Sequence, residues 1–102
     1  MYSINQVTEK IATELGFEFN TSASGSNYVE KNGFTLLRVS NHENGVMFRN
    51  QLNAIVTYNS SDDNFELEVG AKTWKNMQLN HIYNVLLRIS KKELQSKSYL
   101  FN

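Results

Sequence analysis

Two histidines, one arginine and one serine have side chains that could support acid–base chemistry in this chain of 102 residues. Arg38, Ser40 and His42 alternate in a β-rich segment, so they share one face if the strand continues that far. Together with His81 they would suit acid–base cleavage of RNA. A histidine in such a position is more often an exposed surface residue than a catalytic one. We therefore expect a structural role for Ser24, Ser26 and His42 first, partner binding by Arg38 and His42 second, and catalysis third.

Other catalytic and cofactor sites lack their sequence motifs. The chain has no cysteine, which excludes disulfides, thiolate metal sites and cysteine nucleophiles. Glu43 directly follows His42, which is not the spacing of a metal site. There is no Gly-x-Ser-x-Gly and no phosphate-binding glycine loop. We predict a protein that is not an enzyme and that needs no metal or cofactor.

An acidic run lies in the second half of the chain. It consists of Asp62, Asp63, Glu66 and Glu68, with no basic residue among them. Lys72 lies nearby, so a metal-dependent nuclease is one interpretation, but solvation and protection of a sheet edge is the more common use of such charges. The same carboxylates could enter a groove built for phosphates and compete with nucleic acid. We predict that these four residues bind a partner.

Further partner contacts are predicted at Arg38, at His42 and at the pair Phe48 and Arg49. Aromatic residues and arginine are favoured anchors of protein interfaces. The sequence does not decide whether residues 44–51 form a strand or a helix. Near the C-terminus, residues 88–97 carry four positive charges and one negative charge, which could contact RNA or an acidic protein surface.

The clearest element is an N-terminal helix over Ser3–Leu15. Apolar residues recur there at helical spacing, Ser3 and Gln6 form a capping-box pattern, and Gly16 stands where a helix ends. Asn32 and Gly33 then predict a hairpin. A two-residue loop would pair Lys31 with Phe34 and a three-residue loop would pair Glu30 with Phe34; both registers remain open.

Two further strands and a C-terminal helix follow. Strands are predicted over residues 52–58, with Tyr58 on the face of Leu52, and over residues 65–69, with Glu66 and Glu68 outward. From Thr73 the apolar spacing becomes helical, and the helix begins there or at Asn80. A capping box at Ser90 predicts a second short helix. Residues 99–101 are predicted to form a tail that docks on the rest of the domain. The expected fold is α+β: an antiparallel sheet of four to five strands packed by an N-terminal and a C-terminal helix.

The length of the chain favours a single domain over residues 1–102. Ten basic and ten acidic residues give a net charge of zero, which argues against a duplex DNA-binding protein. No run of apolar residues is long enough to span a membrane, and the first ten residues lack the pattern of a signal peptide. We expect a cytoplasmic protein.

One pattern resembles that of a known group of proteins. Ser24-x-Ser26-x-Tyr28, followed by Arg38-x-Ser40-Asn41-His42, is similar to a pattern in small uncharacterised proteins of phages and mobile elements, which tend to have Asp at the position of Asn41. The resemblance covers about a fifth of the chain. It implies an accessory protein that binds and inhibits a bacterial protein or ribonucleoprotein effector in the host cytoplasm, as anti-CRISPR proteins do.

Two alternatives remain open. A small RNA-binding or RNA-cleaving protein would use Arg38, His42, Lys91 and Lys92, and its binding would weaken steeply with salt. A self-associating accessory, for example a homodimer, would use a sheet edge or the C-terminal helix.

Overall fold

The computed structural model describes residues 3–41 and 51–101 of the chain. They form an α+β fold with helices at both ends, as the sequence predicts. In chain order the elements are α1 (Ile4–Leu15), β1 (Glu18–Thr21), β2 (Asn27–Lys31), β3 (Phe34–Ser40), β4 (Leu52–Asn59), β5 (Asn64–Val69), β6 (Lys72–Met77), α2 (Leu79–Ser96) and α3 (Ser98–Phe101). No helix within the described ranges has the length and hydropathy needed to cross a membrane.

The sheet has six strands, not four or five, and they lie side by side in chain order. All neighbouring pairs are antiparallel except β3 and β4, which run parallel with Leu37 opposite Leu52 and Ser40 opposite Ile55. The expectation of a wholly antiparallel sheet is therefore corrected. The sequence between β3 and β4 contains Asn44-Gly45, a local signal that favours a hairpin, whereas a parallel pair depends on a crossover connection that local signals do not predict. The parallel pair joins two antiparallel units of three strands each.

Local chemistry explains both ends of α1. The hydroxyl of Ser3 accepts a hydrogen bond from the N–H of Gln6 at 3.2 Å. Gly16 adopts the left-handed conformation, with φ of 73°, in which the last carbonyls of the helix are satisfied. Thr8 is fully buried, and its hydroxyl donates to the carbonyl of Ile4 at 2.9 Å, which removes the cost of burying it.

Both long helices cover the same face of the sheet. The buried core combines residues of α1 and α2, such as Ile11 and Leu86, with sheet residues that share one face, such as Val39, Val56 and Leu67. The alternation predicted for β4 and β5 is confirmed, because Val56 and Leu67 face the helices whereas Glu66 and Glu68 are exposed. The opposite side of these strands is called the outer face below.

The Asn32-Gly33 turn selects one of the two predicted registers. Lys31 pairs with Phe34, so the loop has two residues, and both have positive φ, 55° at Asn32 and 81° at Gly33. A primed turn requires this conformation at both positions.

Strand β6 occupies residues that the sequence assigns in one alternative to the start of a helix. Trp74 lies opposite Leu67 and Met77 lies opposite Phe65, so three residues of β6 span what two residues span on β5. The extra residue is a β-bulge, and Asn76 has a φ of 57° there. The bulge places Trp74 and Met77 on one face at a spacing of three, which imitates helical periodicity.

Helix α2 begins at Leu79, one residue before the alternative start at Asn80. The helix predicted to begin at Ser90 is wrong as stated, because Ser90 is fully buried inside α2, which continues to Ser96. A buried position on the apolar stripe of α2 overrides the local capping signal.

The C-terminal tail docks through one residue. Phe101 is 4 % exposed, and its ring centroid lies 5.1 Å from that of Phe17 and 6.4 Å from that of Phe34. Asn32 donates from Nδ2 to the carbonyl of Phe101 at 3.4 Å. Tyr99, predicted as part of the same tail, is 74 % exposed.

Candidate partner-binding surface

The β4–β5 hairpin extends past the end of β3. The parallel ladder ends where Ser40 lies opposite Ile55, but β4 continues for four more residues to Asn59. At about 3.3 Å per residue this overhang is about 13 Å long. We call residues 55–68 of β4, β5 and their turn, of which residues 56–67 form the overhang, the projecting hairpin.

Hydrogen bonds stabilise the tip of the projecting hairpin. The hydroxyl of Tyr58 donates to Oδ1 of Asp63 at 2.7 Å, and Nδ2 of Asn59 donates to Oδ2 of Asp62 at 3.2 Å. The N–H of Ser61 donates to Oδ1 of Asn59 at 3.1 Å. Asp62 and Asp63 therefore help to build the turn, in addition to carrying charge.

The bond between Tyr58 and Asp63 also affects the acidity of the phenol. The hydrogen bond to Asp63 raises the pKa of Tyr58 above its ordinary value, and burial and the negative charge of Asp63 add smaller effects in the same direction.

Glu66 and Glu68 are exposed on the outer face of β5, opposite Thr57 and Ile55 of β4. Lys97 and Glu93 form the one ion pair within residues 3–41 and 51–101, so neither glutamate is neutralised by a cation in that part of the protein. The same residues contain no group of three ligands that could hold a metal ion. The two glutamates thus form no ion pair within the described residues, although Lys75 of the neighbouring strand β6 lines the same depression as Glu66.

Aromatic side chains occupy the other face of the projecting hairpin. Tyr58 is 53 % exposed, and its ring centroid lies 5.2 Å from that of Phe65 at an interplanar angle of 53°. The alternation of β4 predicts the direction of Tyr58 correctly. It does not reveal that β4 continues past the end of β3, or that this ring remains largely on the surface.

Arg38 lies in the centre of the sheet, between Tyr28 of β2 and Asn53 of β4. It is 4 % exposed; Nη2 donates to Oγ of Ser26 at 2.8 Å and Nη1 to Oγ of Ser40 at 3.5 Å. Its Nε has no hydrogen-bond partner. The guanidinium thus joins β3 to the segment before β2, and direct partner contact by Arg38 stays a prediction.

The serine-rich approach to β2 is a compact turn. The N–H of Ser26 donates to Oγ of Ser22 at 3.2 Å, the N–H of Ser22 donates to the carbonyl of Ser26 at 2.9 Å, and Ser22 and Ser24 share a hydrogen bond of 2.8 Å. Gly25 has a φ of 89° in this turn. The hydroxyl that accepts from the backbone in this turn is that of Ser22, whereas the hydroxyl of Ser24 bonds Ser22 and that of Ser26 bonds Arg38.

Three predicted contact residues, His42, Phe48 and Arg49, lie outside the described residues. The same holds for the undecided stretch 44–51 except its last residue, Gln51. His81 is exposed in the first turn of α2. The proposed pairing of the two histidines therefore stays a prediction.

The chain was compared with known proteins at three levels. No family model, no curated protein and no solved structure matches it. Arguments about function therefore depend on the residues and their geometry.

Proposed function

We propose that the protein is a non-enzymatic inhibitor, of phage or mobile-element origin, that binds a bacterial defence effector and occupies its nucleic-acid channel. The observation that carries the proposal is the projecting hairpin, which extends about 13 Å past β3 and carries Glu66 and Glu68 without a cationic partner within the described residues. A channel that binds phosphates is lined by basic side chains, to which such a hairpin is complementary.

Both faces of the hairpin contribute to this function. Glu66 and Glu68 are about 6.6 Å apart along the strand and replace phosphate charges. Tyr58 on the opposite face is the type of side chain that forms interface hot spots. Because hydrogen bonds of Asp62 and Asp63 order the tip, binding loses little conformational entropy.

The first experiment is capture of partners from bacterial lysates on the tagged protein, with and without RNase, followed by mass spectrometry. The proposal expects one nuclease or ribonucleoprotein to be retained in both conditions. Enrichment that disappears with RNase would instead identify RNA as the ligand or the bridge.

The decisive variant is Glu66→Lys combined with Glu68→Lys. We expect it to reduce affinity for the captured effector at least a hundredfold, because two attractive contacts become repulsive. The matched control is Glu9→Lys with Glu14→Lys, which changes the net charge equally at exposed positions of α1. Equal affinity of the two double variants would contradict the channel model.

An RNA-binding function is the second candidate, and one observation favours it. Arg88, Lys91 and Lys92 are all exposed on α2, and none of them forms an ion pair within residues 3–41 and 51–101. Binding through three phosphate contacts would give a slope of log affinity against log salt near −2. Lys91→Ala with Lys92→Ala would reduce both the affinity and this slope.

A further inference from the structure

A groove lies on the helix side of the projecting hairpin, next to the N-terminal end of α1. Its floor and rim include Ile4 of α1, Val56 and Tyr58 of β4, and Phe65 of β5, and its volume is about 350 Å³. This volume lies within the range of small-molecule sites.

The polar lining of the groove is uncharged. Asn5, Asn27 and Thr57 contribute amide and hydroxyl groups, and none of the described lining residues is acidic or basic. A ligand that carries a full charge would lose its hydration here without gaining a counter-ion. The chemistry therefore favours a neutral ligand with hydrogen-bonding groups.

Asn27 is the residue whose unpartnered side chain indicates a ligand-binding site. It pairs with Val39, so its side chain lies on the helix side of the sheet, and it is 2 % exposed. Its Oδ1 is buried without a hydrogen-bond partner. A buried acceptor without a donor lowers the stability of a protein, so the free chain retains an unfavourable feature that a ligand could relieve.

The first turn of α1 borders the same groove. Ile4 and Asn5 belong to the first turn, whose N–H groups have no acceptor inside the helix. A hydroxyl group can accept from such an N–H and donate to Asn27 Oδ1 at the same time, whereas a carboxylate cannot donate and an ammonium group cannot accept.

We propose that this groove binds the hydroxylated ring of a neutral sugar. Ring hydroxyls satisfy Asn27 Oδ1 and the first turn of α1, and the apolar face of the ring packs on the Tyr58–Phe65 pair. The ring can belong to a free saccharide or to the ribose of a nucleoside. The site is independent of the carboxylates on the outer face.

The test is a titration of the full chain followed by ¹H–¹⁵N correlation spectra, which also show the side-chain amide of Asn27. One arm uses neutral mono- and disaccharides and the other uses nucleosides. We expect saturable shifts at Asn27, Asn5 and Val56 in one arm, with Arg88 on α2 unaffected. Shifts with inorganic phosphate at the same residues, or no saturable shift in either arm, would overturn the proposal.

The variant Asn27→Leu separates a ligand site from a structural amide. Removal of the buried acceptor should raise the melting temperature by about 4–8 °C and reduce sugar affinity about tenfold. Asn84→Leu, at an exposed position of α2, is the control and should change neither quantity. A lower melting temperature of Asn27→Leu, or unchanged affinity, would contradict the proposal.

Asn5→Ala provides a second test that does not disturb the core, because Asn5 is exposed. We expect a loss of affinity of a few-fold with an unchanged fold. Unaltered affinity in this variant would show that the side-chain amide of Asn5 does not contact the sugar and would contradict its proposed place in the polar lining.

Discussion

Hydrogen bonds of single side chains join the serine-rich segment before β2 to the central strand β3. Arg38 is buried with two serine hydroxyls as acceptors, one before β2 and one on its own strand. Charged donors form stronger hydrogen bonds than neutral ones, and a buried charge is costly without them. The spacing of Ser24, Ser26 and Arg38 predicts a turn and a strand. It cannot predict that Ser26 reaches Arg38, since this contact joins residues twelve positions apart.

Ser26→Ala should lower the free energy of unfolding by about 1–3 kcal/mol, because it leaves Nη2 of a buried guanidinium without its acceptor. Ser24→Ala is the matched control, since Ser24 is exposed and its hydroxyl contacts only Ser22 in the described structure. We expect the control to change stability by less than about 0.5 kcal/mol. Urea denaturation measures both, and equal effects would show that the contact with Arg38 does not stabilise the fold.

Asp63→Asn should lower the pKa of Tyr58 towards its ordinary value, because the strong acceptor and the negative charge are both removed. Spectrophotometric titration, compared with a Tyr58→Phe variant, isolates this phenol. In the native chain the folded pKa of Tyr58 is raised. Its contribution to stability is therefore complete below pH 10, the unfolded value, and is lost as the pH rises through the folded pKa. An unchanged pKa in Asp63→Asn would contradict the hydrogen bond.

Helices and strands whose apolar residues recur at a uniform spacing could be predicted from the sequence, whereas those with an interrupted spacing could not. The helix at Ile4–Leu15 and the alternation in β5 follow from uniform spacing. The rule of alternating apolar residues does not identify β6 as a strand, because its bulge changes the spacing of the apolar positions from two residues to three. Likewise, Ser90 satisfies a capping pattern that only the tertiary packing of α2 overrides.

Phe101→Ala should lower the free energy of unfolding by about 3–5 kcal/mol, because the ring fills the space between Phe17 and Phe34. Tyr99→Ala, two residues earlier in α3, should be close to neutral because its ring is exposed. Thermal or urea unfolding measures the difference. If both variants behave alike, α3 does not dock through Phe101.

For the whole molecule, the zero net charge conceals a separation of charge. The carboxylates of Glu66 and Glu68 lie on the outer face, whereas Arg88, Lys91 and Lys92 lie on α2, which covers the opposite face. Such a distribution orients the protein as it approaches a charged partner. The composition alone showed two oppositely charged segments, but their placement on opposite sides depends on the fold.

Light scattering should find a monomer at micromolar concentration, although self-association is one of the alternatives that the sequence leaves open. Edge strand β1 has only four residues, and edge strand β6 carries Lys72, Lys75 and a bulge, all of which oppose pairing between sheets. Lys72→Thr with Lys75→Val should produce association that increases with concentration. A native dimer would show that these features do not protect the edge.

The parallel ladder between β3 and β4 joins two halves of the sheet that are also consecutive in the sequence. The part of the chain through Ser40 supplies α1 and three strands, and the part from Leu52 onward supplies three strands and the C-terminal helices. Each half forms its own hairpins from neighbouring residues, whereas the ladder that joins the halves must close a longer loop. The protein is therefore organised as two complementary fragments, each with half of the apolar core and one unsatisfied strand edge. Cut between β3 and β4 and fused to separate carriers, the fragments would form a split reporter that reassembles when the two carriers meet.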